Sequence, residues 1–162
     1  MFMHRRSGLM TLSLVLFALC LLVAEPSRAQ QRPATGDLNE ATRLNEQVIR
    51  LYVEGRYDEA IPLAVRALAI REKSLGADHP STATSLSNLA LLYEAKGDYA
   101  RAEPLYRRAL AITEKVLGAD HPDTSASLNN LAELYQAKGD YAQAVQMIAH
   151  AAEGQERHLV RI

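Results

Sequence analysis

In residues 81–96 the apolar positions Leu86, Leu89, Ala90 and Tyr93 recur at i, i+3, i+4 and i+7. That spacing gathers side chains on one face of a helix. Residues 99–117 carry a second stripe of the same kind, Ala102, Leu105, Ala109 and Ile112. The boundaries between the stripes have their own chemistry. Asp78-His79-Pro80 offers a polar cap followed by proline at the first helical position, where its missing N–H costs nothing. Gly97 stands where a left-handed carboxy-terminal cap belongs, Asp98 can cap the helix that follows, and Gly118 ends it. Pro104 falls in the second turn of that helix, removes one backbone hydrogen bond and predicts a mild bend. Continued along the chain, the pattern predicts six helices, at about 37–54, 57–75, 81–96, 99–117, 123–138 and 141–158, and no strand after residue 30.

These helices are copies. Gly55, Gly97 and Gly139 lie 42 residues apart, as do Tyr57, Tyr99 and Tyr141, and Ala60, Ala102 and Ala144. Residues 57–80 match 99–122 at 17 of 24 positions, and 79–100 match 121–142 at 16 of 22. A fixed period of this size means stacked two-helix units, each burying its apolar face on its neighbours. Ala60, Ala102 and Ala144, with Ala67, Ala109 and Ala151, supply small side chains where helices must approach closely. The predicted fold is all-α, a right-handed solenoid of three helix-turn-helix units at about 37–78, 79–120 and 121–160.

The repeat resembles the tetratricopeptide repeat. The middle unit meets its small-and-large pattern with Leu86, Leu89, Ala90, Tyr93, Gly97, Tyr99, Ala102, Tyr106 and Ala109. The third does so with Leu128, Leu131, Ala132, Tyr135, Gly139, Tyr141, Ala144, Ile148 and Ala151. The longer 42-residue form, with the block 99–118 followed by Ala-Asp-His-Pro-Asp-Thr, is similar to the repeats of kinesin light chains, a subtype also abundant in bacterial proteins. The first unit departs from the pattern: Gln47 and Val48 replace Leu and Ala, Ala64 stands where Tyr106 stands, and Arg56 replaces the capping Asp. A degenerate first unit suits a terminal cap. In the last helix Gly154 replaces Ile112, which predicts a soft end, since glycine inside a helix costs about 1 kcal/mol against alanine. Residues 149–162 also resemble the segment that joins such repeats to a caspase-like CHAT peptidase domain in secreted bacterial proteins.

The amino terminus is different in kind. Leu9 to Ala24 is a charge-free apolar run preceded by Arg5 and Arg6 and followed by Ser27-Arg28-Ala29. A basic flank, an apolar stretch and a small-x-small end are the parts of a secretory signal peptide, with cleavage after Ala29. A spanning helix needs about 20 apolar residues, and an uncleaved amino-terminal anchor is the alternative. Leu19 before Cys20 lacks the small residue that lipid attachment requires. Residues 30–36 read as a linker. Loss of 1–29 moves the formal net charge from −1 to −3 and removes Cys20, the chain's one cysteine. That excludes a disulfide framework, a cysteine nucleophile and a thiolate metal site. A mildly acidic chain without a basic run is a poor match for nucleic acid, and after cleavage nothing in it calls for a membrane.

Candidate chemistry is sparse. His79 and His121, beside Asp78 and Asp120, recur at the repeat period, which points to capping rather than to metal or acid–base work. His150 and His158 lie on a polar helix face, and the repeated tyrosines match packing positions. No catalytic motif, phosphate loop or zinc signature is present, so no catalytic residue, metal or cofactor is expected. The surface that the architecture implies is the groove lined by the first helix of each unit. Outside the buried stripe that helix offers Thr84, Asn88 and Leu91, and in the next unit Ala126, Asn130 and Glu133. An amide both donates and accepts, which suits an extended peptide backbone. The resemblance implies that Asn88, Asn129 and Asn130 hold a bound peptide; bonding of these amides to the backbone of an adjacent helix is the alternative. The expected activity is therefore non-catalytic binding of a peptide or protein partner. The sensor arm of a CHAT peptidase system is the second reading. An apolar face around Met147, Ile148, Ala151 and Leu159 further predicts weak self-association through the last helix.

Overall fold

A computed structural model describes residues 34–160. The signal-peptide stretch, Cys20 and residues 30–33 of the expected linker lie outside the described residues. Six helices follow one another: α1 (Ala34–Val53), α2 (Tyr57–Leu75), α3 (Pro80–Ala95), α4 (Tyr99–Leu117), α5 (Pro122–Ala137) and α6 (Tyr141–Val160). The described residues contain no strand. Each helix packs on the next in chain order, and α3 also touches α5, so the first helices of the second and third units lie side by side. The result is an all-α repeat solenoid. Residues 34–36, read as linker, belong to the first turn of α1.

The punctuation of the sequence explains the boundaries. His79 caps α3 by accepting from the Ser81 N–H at Nδ1 (3.0 Å), with Pro80 at the first helical position. His121 does the same for α5, accepting from the Asp123 N–H at 3.1 Å. Asp98 accepts from the Arg101 N–H at 3.1 Å and caps α4, whereas Arg56 makes no side-chain cap for α2. Gly97 has φ +75°, a left-handed conformation that a side chain would strain. It lets the Asp98 N–H turn back onto the Tyr93 carbonyl at 2.8 Å. α4 runs unbroken through Pro104.

Two apolar clusters form the core. The first joins Val48, Ala64 and Leu68 to Leu86, Leu89, Leu92 and Ile112. The second joins Ala90, Ala102 and Tyr106 to Leu131, Leu134, Tyr135 and Ala144. All six small residues expected at helix crossings are buried. One detail departs from the expected stripe on α3: Leu92 is fully buried and Tyr93 only half-buried. The cause is that α3 packs on both α2 and α4, so it buries an arc wider than one helical stripe.

The last helix adds two features that the sequence did not show. Gly154 is buried, and a Cβ there would stand 2.7 Å from the Ala119 carbonyl oxygen. Glycine is thus the residue that lets α6 cross close over the α4–α5 turn. Next to it Ser125 Oγ donates to the Ala151 carbonyl at 3.3 Å, and Arg157 pairs with Asp120 at 2.6 Å. The expected apolar face also divides. Ala151 is buried and Met147 packs against the second cluster, while Ile148 and Leu159 are exposed together with Tyr141 (69%) and Val145. Tyr141 therefore does not share the half-buried packing of Tyr57 and Tyr99.

Candidate partner-binding groove

The side-by-side placement of α3 and α5 opens a cleft of about 420 Å³ between them. The wall from α3 is Pro80, Ser81, Ala83, Thr84, Ser87 and Asn88; the wall from α5 is Asp123, Ala126, Ser127 and Asn130; Thr113 of α4 is the floor. Hydroxyls collect here because the first turns of both helices are rich in Ser and Thr, which favour helix starts, while Asn88 and Asn130 stand two turns farther along at equivalent repeat positions. The floor is satisfied from within. Thr113 Oγ1 donates to the Leu110 carbonyl at 3.0 Å and lies 3.4 Å from Ser127 Oγ, which donates to the Asp123 carbonyl at 3.0 Å.

Three of the expected site residues meet at this cleft: Thr84, Asn88 and Asn130. Thr84 is exposed and donates to the Pro80 carbonyl at 3.3 Å. Asn88 and Asn130 are half-buried, and among the described residues neither amide has a hydrogen-bond partner. Their bonding capacity is directed to whatever enters the cleft. The other three lie off it. Leu91 packs against the second cluster. Asn129 is exposed because it occupies the repeat position of Ser87, which on α5 turns away from α3. Glu133 is exposed farther along α5, near enough to Glu94 to disfavour that residue's charge. Sequence reasoning missed Ser81, Ser87, Thr113, Asp123 and Ser127. The recurrence of hydroxyl residues just after each His-Pro was the available signal.

The electrostatics separate structural charges from available ones. Burial pushes the Glu94 carboxyl above its ordinary value, the hydrogen bond from the Tyr106 hydroxyl (2.9 Å) opposes this, and Glu133 adds to it. The buried Tyr106 phenol is itself pushed well up, first by desolvation. Glu103 is held below its ordinary value, first by its hydrogen bond from Lys138 and then by Arg107 and Tyr135. One interval back, half-buried Arg71 of α2 bridges α1 and α3. It donates to Ser85 Oγ at 2.7 Å and to the Ser81 carbonyl at 3.3 Å. With the Asn45 amide turned so that its oxygen faces the guanidinium, Arg71 also donates to it at 2.7 and 2.9 Å. Desolvation lowers the Arg71 pKa, and no carboxylate pairs with it among the described residues. The described residues hold no cluster of metal-ligating side chains and no helix long and apolar enough to cross a membrane.

A family model for the tetratricopeptide repeat matches residues 51–115 and again 88–157. Among solved structures, the chain is similar to a kinesin-light-chain-like protein of Podosopora anserina built of nearly identical TPR-like repeats. The identity is 32% and the TM-score 0.67, over 74% of this chain and 56% of that one. A single-substitution variant of that protein gives 31% identity and TM-score 0.67 over the same shares. BtubC (BKLC) from P. vanneervenii is similar at 25% identity and TM-score 0.66, over 72% of this chain and 47% of that one. The chain therefore spans about half the length of these solved relatives. No curated protein matches it.

Proposed function

Since this chain belongs to the tetratricopeptide repeat family, we propose that it is a non-catalytic interaction module whose concave face binds an extended peptide segment of a protein partner. Repeats of this family are in general protein-binding scaffolds, and the cleft between α3 and α5 is the place where this chain offers unused bonding groups. One observation carries the reading: Asn88 and Asn130, one repeat apart on neighbouring helices, both face the cleft without a hydrogen-bond partner among the described residues. Spaced amides that donate and accept are suited to holding a peptide backbone in register.

The test is a peptide-array binding assay with the full chain beside an Asn88→Ala/Asn130→Ala double variant. Enrichment of one motif by the parent chain alone supports the groove. Equal enrichment by both sets it aside. We further place the module outside the cytoplasm, on the basic, apolar and small-x-small succession of residues 5–29. Mass spectrometry of the protein recovered from its native host should then find an amino terminus at Gln30; a chain retaining residues 1–29 would favour the anchor. The exposed Tyr141, Val145, Ile148 and Leu159 support weak self-association through α6, and sedimentation showing a strict monomer at high concentration counts against it. A role as the sensor arm of a CHAT peptidase system rests on the likeness of residues 149–162 alone.

A further inference from the structure

We infer that the cleft between α3 and α5 selects a basic segment: an extended peptide whose lysine or arginine side chain enters beside Asp123. The inference rests on the groove reading and names the chemistry of its occupant. The site itself is the cavity with its two unpartnered amides; the charge around it decides what fits. Helices α3 and α5 together carry three carboxylates, Glu94, Asp123 and Glu133, and not one lysine or arginine.

Several cations on neighbouring elements are already engaged. Lys96 pairs with Asp58, Lys115 with Asp78, and Lys138 and Arg107 with Glu103. Arg71 donates to Asn45, the Ser81 carbonyl and Ser85 in the interval between α1 and α3. His121 Nδ1 accepts from the Asp123 backbone N–H and lies 3.8 Å from the Asp123 carboxylate, which remains 67% exposed.

A carboxylate at the rim of a concave surface concentrates negative potential there. An entering ammonium or guanidinium would meet that carboxylate together with hydroxyl and amide oxygens from Ser81, Thr84, Ser127 and Asn130, which satisfy its several donors. An acidic segment would meet the like charge of Asp123 and no lysine or arginine on either wall, so the same arrangement disfavours it.

Fluorescence anisotropy of the full chain with three labelled peptide pools tests this. The pools share length and a Gly/Ser/Ala background and differ only in a central Lys or Arg, Asp or Glu, or Asn or Gln. The basic pool should bind tightest and weaken as KCl is raised. Asp123→Asn should cut its affinity about two- to threefold, the size expected of one exposed rim charge, and Asn88→Ala/Asn130→Ala should cut it further, with unchanged circular dichroism. Tighter binding of the acidic or neutral pool, lost in the amide double variant, would overturn the charge inference and leave the groove reading standing. Basic peptides bound equally by all variants, or no pool bound at all, would overturn both.

Discussion

Repeat positions 71 and 113 are equivalent, yet they shape two successive intervals of the solenoid in opposite ways. At the first, Arg71 reaches from α2 to both α1 and α3, tying Asn45, Ser81 and Ser85 together. At the second, Thr113 reaches only Ser127 and its own helix, and the space above it is the open cleft. The partners differ in step. Ser85 and Ser127 are the same position, whereas Ser81 is replaced by Asp123 and Asn45 by Ser87, 42 residues on in each case. One interval is internally satisfied through a desolvated cation; the other presents an exposed carboxylate beside His121 and two amides without a partner among the described residues. A long, planar, multi-donor side chain and a short hydroxyl thus divide bracing from binding within one repeat.

The largest effect is expected from closing the second interval. Thr113→Arg places a guanidinium where Ser127 and Asp123 can receive it, so titration with the captured peptide should show affinity down more than about tenfold, the scale of one buried anchor lost. Helix content by circular dichroism should stay unchanged. Opening the first interval should do the reverse. Arg71→Ala leaves Asn45 and Ser85 without their donor, both of them buried. Urea melts should show a loss of about 2 kcal/mol, the cost of orphaned buried polar groups, while peptide affinity holds.

The far wall of the second interval depends on α6 behind α5. Gly154→Ala pushes a methyl group into the Ala119 carbonyl. Despite alanine's better helix propensity, thermal melts should show a net loss of about 1–3 kcal/mol. The smallest effect concerns Glu103, which ties α4 to the carboxy-terminal end of α5 through Lys138 and Tyr135. Its carboxyl is depressed in the folded chain, so its contribution is present above its ordinary value of 4.5 and is lost as pH falls through the lower folded value. Glu103→Gln should therefore destabilise the fold slightly at neutral pH, by less than about 1 kcal/mol for an ion pair near the surface, read as a small drop in melting temperature. The difference from the parent should vanish in melts at acid pH.

Much of this architecture was legible in the sequence because it repeats. The helix limits, the histidine caps, the left-handed Gly97 and the buried alanines follow from local rules applied at a 42-residue period. What the period hid is where copies stop being equivalent. Arg71 and Thr113 look like ordinary drift on a helix surface until their neighbours across the interval are known. Gly154 read as a weak helix residue because propensity is local and its reason is a contact with Ala119 in another segment. Asn129 shared a residue type with Asn130, but one step along a helix turns a side chain by about 100° and took it off the cleft. Residue identity placed the amides on α3 and α5; only the packing of α3 on α5 decided which of them share a surface.

The most direct measurement is an amide chemical-shift titration of the isotope-labelled full chain with the basic peptide pool. The account predicts that the amides of Thr84, Asn88, Asp123, Ser127 and Asn130 shift first and together, and that those around Arg71 and Asn45 remain still. Shifts confined to α6, or spread evenly over both intervals, would contradict it.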